Sequence, residues 1–243
     1  MKEEAKSIII MIRIKPLKCA GIKIPNNETI VWRYLSLKKF LDLICREQLY
    51  LCRMDLFEDK MEGRVPLENL REKASSDDLS RIDEYVEKTR KEQFVSCWTM
   101  CPDESYVHWK TFSEKDYGIA IKSTVERLML NFQKEKRPVY IGKVEYIAPN
   151  DKYIFWGNTY QFSFQKRKHF EQEQEVRILT DLSLKEQEDS SIANSPNMYI
   201  PVDVKTLIEE IRLVPGADEN LKNAIELLLK NKGLKIPVYF SKI

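Results

Sequence analysis

Three strand-like stretches follow one another through the middle of this chain, so sheet must dominate the centre of whatever it folds into. Residues 93–99, 117–123 and 139–147 are rich in β-branched and aromatic side chains, and only one short helical pattern, starting near Thr124, separates the last two. This order lacks the regular β–α–β alternation of a doubly wound fold. It predicts an α+β class instead: a mixed or antiparallel central sheet with flanking helices. Upstream, residues 30–35 read as a strand, and Ser36 can cap a helix that carries Phe40, Leu41 and Ile44 at helical spacing. Residues 49–54 then read as the next strand, and an isoleucine-rich run at residues 7–15 predicts one more.

From about residue 64 to 92 the chain turns charged, with Leu67, Leu70, Leu79, Ile82 and Val86 as sparse apolar points and a break at Ser75, Ser76, Asp77 and Asp78. This predicts a helical insertion. Residues 198–243 read as a helix–strand scaffold: a strand, a helix from Asp203, a strand to Val214, a Pro215-Gly216 turn, a helix over 220–230 and a closing strand. With no internal repeat and no low-complexity linker, residues 1–243 are expected to form a single α+β domain.

Composition removes several functions. Forty Lys and Arg against 38 Asp and Glu leave a net charge of +2, so no global field draws the protein to nucleic acid or anionic lipid. None of the seven glycines forms a Gly-x-Gly pair, which excludes a phosphate-cradling P-loop and a dinucleotide-binding glycine fingerprint. The two histidines, His108 and His169, and the wide Cys97–Cys101 pair do not make a four-ligand zinc set, so no structural metal is expected. Five cysteines without a paired pattern read as reduced thiols, and the apolar start is too short for a secretion signal or a membrane span. A cytoplasmic location without membrane contact is the expectation.

The most unusual segment is the charged run from Lys166 to Arg177. If its strand begins by Glu173, then Glu173, Glu175 and Arg177 share one face, successive pairs about 7 Å apart. Two carboxylates held that way raise the proton affinity of one, which suits general-base work or stabilisation of a cationic transition state. The plainer reading is a solvent-facing strand whose Glu and Arg offset one another. Two aromatic clusters complete the candidates: Trp32, Arg33, Tyr34, where a guanidinium between rings can grip phosphate, and Ser96, Cys97, Trp98, with Trp109 beyond. Core packing is the alternative for both. No spacing supports a Ser or Cys nucleophile paired with His108.

From about Val31 onwards the chain resembles a widespread bacterial family of unknown function. The features are Arg33-Tyr34-Leu35-Ser36, Leu49-Tyr50-Leu51, the Phe57 to Gly63 turn, Val95-Ser96-Cys97-Trp98, Trp109, Gly118-Ile119-Ala120-Ile121, and Lys166-Arg167 with Phe170, Glu173, Glu175 and Arg177. One departure lies in the turn, where the family has Asp-Pro-Phe-Glu-Gly and this chain has Asp59-Lys60-Met61-Glu62-Gly63. More distantly, the chain is similar to ADP-ribosyltransferases: Arg33, Ser96 and Glu173-x-Glu175 stand in the order of their basic residue, serine and acidic pair, although Glu171-x-Glu173 fits the spacing equally.

That second resemblance implies an ADP-ribosyltransferase-like fold and an enzyme that cleaves NAD, its co-substrate, and passes ADP-ribose to a macromolecule, in toxin or antiphage defence. It assigns Glu175 to the ribose, Glu173 to the acceptor, Arg33 to the pyrophosphate, Ser96 to holding Glu175, and Tyr34 or Trp98 to stacking on nicotinamide. The partners it implies are a protein or nucleic-acid acceptor and an operon-encoded protein. Two alternatives remain open: a metal-dependent nuclease or phosphodiesterase using Asp59, Glu62, Glu173 and Glu175 with Lys166 to His169 on phosphate, and a non-enzymatic module docking a partner through residues 66–91.

Overall fold

The computed structural model describes residues 21–64, 75–133, 135–148 and 160–243. The strand expected at 7–15 and the first part of the insertion lie outside them. The expected α+β class holds, with helices packed around a mixed nine-stranded sheet.

Strand β1 (Ile30–Leu35) leads through the N-cap Ser36, whose hydroxyl accepts the Lys39 N–H, into helix α1 (Leu37–Arg46). That helix ends on Glu47 at φ 53°, a left-handed position at a helix end that glycine usually fills. Strand β2 (Gln48–Arg53) follows, then a 3₁₀ turn over Met54–Leu56. Helix α2 (Ser76–Glu92) begins within the Ser75 to Asp78 stretch that reads as a break, and passes directly into strand β3 (Gln93–Met100). Its Val86 is buried against Phe162, so this part of the insertion is packed onto the body.

Helix α3 (Tyr106–Phe112), strand β4 (Ile119–Thr124) and helix α4 (Val125–Asn131) come next. The single strand expected over 139–147 is two: β5 (Val139–Lys143) and β6 (Glu145–Ile147). Val144 still donates its N–H to Glu175 O at 2.9 Å in register with β8, but Glu145 donates to Phe164 O at 2.8 Å, so the chain leaves the main sheet there and pairs with β7 (Gln165–Arg167), which follows helix α5 (Tyr160–Ser163). Beyond a 3₁₀ turn over Lys168–Glu173 lies β8 (Glu175–Asp181). Helices α6 (Leu184–Glu188) and α7 (Ser190–Ala193) precede β9 (Asn197–Pro201); α8 (Val204–Leu207), β10 (Glu210–Leu213), α9 (Glu219–Asn231) and β11 (Val238–Phe240) complete the chain. No helix among the described residues is long and apolar enough to cross a membrane.

Strand β3 organises the sheet. One of its edges pairs with β8 from Gln93↔Asp181 to Thr99↔Glu175. The other edge is shared: β1 takes its end at Thr99 and Met100, and β2 takes its start at Phe94 and Val95. A fork therefore opens between β1 and β2 opposite Ser96, Cys97 and Trp98. The Arg33 guanidinium closes it, donating from Nη2 to Tyr50 O at 3.0 Å while lying 5.8 Å from the Trp98 ring centre. The main core, with Val31, Phe94, Trp98, Val176 and Ile178, fills one face of this sheet. A smaller core of Met54, Val95, Tyr140, Phe164 and Leu179 lies on the other.

Candidate active site

Directly opposed residues of an antiparallel ladder share a face, which fixes where each candidate points. Trp32↔Thr99 and Thr99↔Glu175 put Trp32, Thr99 and Glu175 on one face, and alternation adds Tyr34, Cys97 and Arg177. Ser96↔Ile178 and Trp98↔Val176 put Ser96 and Trp98 on the other, where alternation also places Arg33. The constellation expected from sequence is thus divided by the sheet itself. Ser96 does not hold Glu175; it accepts a hydrogen bond from Trp98 Nε1 at 3.1 Å within the core. Trp98 is 1% exposed, so no ring of a ligand can stack on it, and Arg33 is committed to the fork.

What the fold does assemble is a buried cluster of five charged side chains from four segments. Glu62 comes from the turn after the first 3₁₀ segment, Lys166 from β7, Glu173 from the end of the second 3₁₀ turn, and Glu175 and Arg177 from β8. Lys166 Nζ lies 2.9 Å from Glu62 Oε1, 2.6 Å from Glu173 Oε2 and 2.9 Å from Glu175 Oε1. Fully buried Arg177 donates from Nε to Glu175 Oε2 at 2.7 Å, from Nη1 to Ser163 O at 2.8 Å and from Nη2 to Glu62. Phe170 covers Lys166 at 4.6 Å and Phe57 covers Arg177 at 5.7 Å. Pieces of the motif series that are far apart in sequence, the Phe57 to Gly63 turn and the Lys166 to Arg177 run, meet here.

Local structure explains each placement. In the turn, Asp59 Oδ1 accepts the Met61 N–H at 3.0 Å and its carbonyl accepts the Glu62 N–H at 3.1 Å, so the turn closes without a proline. Gly63 has φ +72°, and a Cβ there would sit 2.7 Å from the buried Met54 Sδ. Gly63→Ala is expected to cost about 1–3 kcal/mol in urea denaturation. An unchanged midpoint would show that the turn has another way to seat Glu62.

The sequence-based picture of three β8 side chains in a row needs correction. The strand begins at Glu175, and Glu173 precedes it across Gln174, a left-handed residue at φ 45°. That reversal brings the Glu173 carboxyl back onto Lys166. Three carboxyls against two cations leave one in excess, and Glu173 carries it, being the least buried of the three at 21% side-chain exposure. Burial, then the hydrogen bond to Glu175, push its pKa up to about 7. Burial alone would raise Glu175 too, but Arg177, the hydrogen bond from Glu173 and Lys166 hold it well below the usual carboxylate range. Two neighbouring carboxyls are thus kept in opposite protonation regimes.

Other candidates find their places around this cluster. Burial and then Glu175 push the Cys97 thiol well above its usual range, which makes it a poor nucleophile. Tyr34 is on the cluster's face but 7% exposed, its hydroxyl accepting the Ser105 N–H at 2.8 Å. His108, which no sequence spacing ties to a nucleophile, stacks on Tyr34 at 5.6 Å and approaches Glu173 O with Nε2 at 3.3 Å. An ammonium stands at the centre of the carboxylates where the nuclease reading needs a divalent ion, and no group of three or more metal-binding side chains is assembled among the described residues. Comparison of the sequence with protein-family models and with curated proteins finds no match.

Proposed function

We propose that this chain is an ADP-ribosyltransferase-like enzyme that cleaves NAD and transfers ADP-ribose to a macromolecular acceptor, with Glu173 and Glu175 as its working carboxyls. The observation that carries this reading is the neighbouring pair itself: Glu173 and Glu175 meet at Lys166 Nζ, 2.6 and 2.9 Å away, where burial raises the proton affinity of Glu173 while Arg177 and Lys166 outweigh burial at Glu175. Bonds from a sugar to a leaving group break through a cation-like transition state, and such reactions use a split pair of this kind. The bond from ribose C1′ to the nicotinamide nitrogen breaks with its electron pair going to the ring, which leaves as neutral nicotinamide. Glu175, ionised at any physiological pH, supplies negative charge beneath the developing ribosyl cation. The acceptor's nucleophilic atom bonds to C1′ and its proton passes to Glu173, a base matched to neutral pH.

The excess carboxyl suits this chemistry, because the nicotinamide ring of NAD arrives positively charged. Arg33, Ser96 and Trp98 have no part in this version, and Glu171 stays outside the pair, its carboxylate bound to Lys168 at 2.6 Å. One observation favours a second reading, a binding module in which the cluster only locks the fold: both Glu175 oxygens already have cationic partners.

Two measurements on the full chain separate them. The transferase reading expects NAD to raise the melting temperature, by about 2.7 kcal/mol of stabilisation at a hundredfold excess over Kd, and expects nicotinamide to appear in the supernatant. A folded protein that neither binds NAD nor releases nicotinamide is a module.

A further inference from the structure

We infer that His108 is the positioning residue for Glu173: through its Nε2–H it holds the Glu173 carbonyl and thereby sets where that carboxyl lies against Lys166 and Glu175. This rests on the reading of Glu173 as the reactive base and adds to it a residue outside the charged cluster. A carbonyl oxygen can only accept, so the 3.3 Å approach to Glu173 O requires the proton on Nε2. Nδ1 is then bare and accepts from the Ser105 hydroxyl at 2.8 Å. Ser105 also caps α3, its Oγ accepting the His108 N–H, so one serine anchors both the helix start and the ring. Tyr34 stacks on the ring at 5.6 Å and 26°, and Phe112 lies against it at 5.6 Å and 38°. The imidazole has neither room to turn nor a second orientation that keeps both bonds.

The segment it grips needs holding. Glu173 ends a 3₁₀ turn, Gln174 beside it is left-handed without being glycine, and the ties to neighbouring strands begin only beyond Glu173 itself, with Met100 N–H to Gln174 O at 2.8 Å and Glu175 N–H to Tyr146 Oη at 2.8 Å. Without the His108 bond, the Glu173 carbonyl loses its partner and that peptide keeps the Gln174 N–H to Glu171 O bond at 3.2 Å, a looser hold from which the carboxyl can swing from Lys166 toward water. Burial also lowers the His108 pKa, against the pull of the Glu173 carbonyl and Glu175, which keeps the neutral tautomer in place.

The test follows the Glu173 carboxyl directly, by ¹³C NMR titration of glutamate-labelled protein assigned with Glu173→Gln. The parent midpoint is expected near about 7. His108→Leu should lower it by about one unit or more, toward an ordinary carboxylate. His108→Gln, which keeps an N–H donor, should restore it, a rescue that a merely space-filling role would not show. Should His108→Leu not fold, Ser105→Ala releases Nδ1 alone and should move the midpoint the same way. Parent-like titration in either apolar variant, or failure of Gln to rescue, overturns the inference. Because this readout needs no turnover, a parent that releases no nicotinamide would remove the base role of Glu173 while leaving the His108 result standing.

Discussion

Glu173→Gln is expected to lower nicotinamide release and ADP-ribosyl transfer by about 10²- to 10⁴-fold, the usual contribution of a positioned base, with the protein still folded. The amide keeps the shape and can still accept from Lys166 Nζ, now 2.6 Å from the carboxylate, but cannot take a proton. The parent should show a matching pH dependence. Its base is active when ionised, so the rate should rise as pH climbs through about 7 and level off above it. Stability runs the other way for this group: its folded pKa is raised, so its contribution is present at low pH and lost as pH passes through about 7. A variant that turns over like the parent, or a parent rate that falls through neutrality, would take Glu173 out of the mechanism.

Arg177→Met should be the most destabilising single change in the cluster, by about 3–5 kcal/mol in urea denaturation. The guanidinium is fully buried and partners Glu62, Glu175 and Ser163 O together. Its removal strands two carboxylates, each 7% exposed or less, with only Lys166 between them. Glu175 would then lose the cation that most strongly holds its proton affinity down, and would protonate in the fold. In the parent its depressed pKa contributes stability above the ordinary carboxylate range and gives it up as pH falls below. A loss within about 0.5 kcal/mol, typical of exposed positions, would mean that the pairing has no structural weight.

Much of the fold could be read from residue order because local chemistry and tertiary packing agree there. The β1–α1–β2 unit follows from the Ser36 cap and the spacing of Phe40 and Ile44, both of which face the core. The C-terminal elements follow from Asp203, which caps the helix after it, and from the Pro215-Gly216 turn ahead of the last helix, whose cap proves to be Asp218. Glu173 and Glu175 could be picked out because they fall in the ordered charged run from Lys166 to Arg177, where strand alternation would bring like charges to one face. Their partners were harder to see. Glu62 is 113 positions from Glu175, and Lys166 arrives on a strand that pairs outside the main sheet. The change of partner after Val144, where Glu145 turns to Phe164 O, and the left-handed Gln174 leave no mark in the local periodicity. Arg33 and Ser96 stand in the right order for a transferase and on the wrong side of the sheet. Linear order cannot tell these apart, since one residue of register turns every side chain over.

The pleat of β3 gives that strand two unrelated duties at successive residues. Phe94, Ser96 and Trp98 are bricks of the main interior, while Cys97 and Thr99 form the floor beneath the charges and Val95 extends it into the smaller core. Evolution can therefore retune the floor, one odd position at a time, without disturbing the wall behind it. Any drift in the even positions must instead be absorbed by the rivet at Arg33.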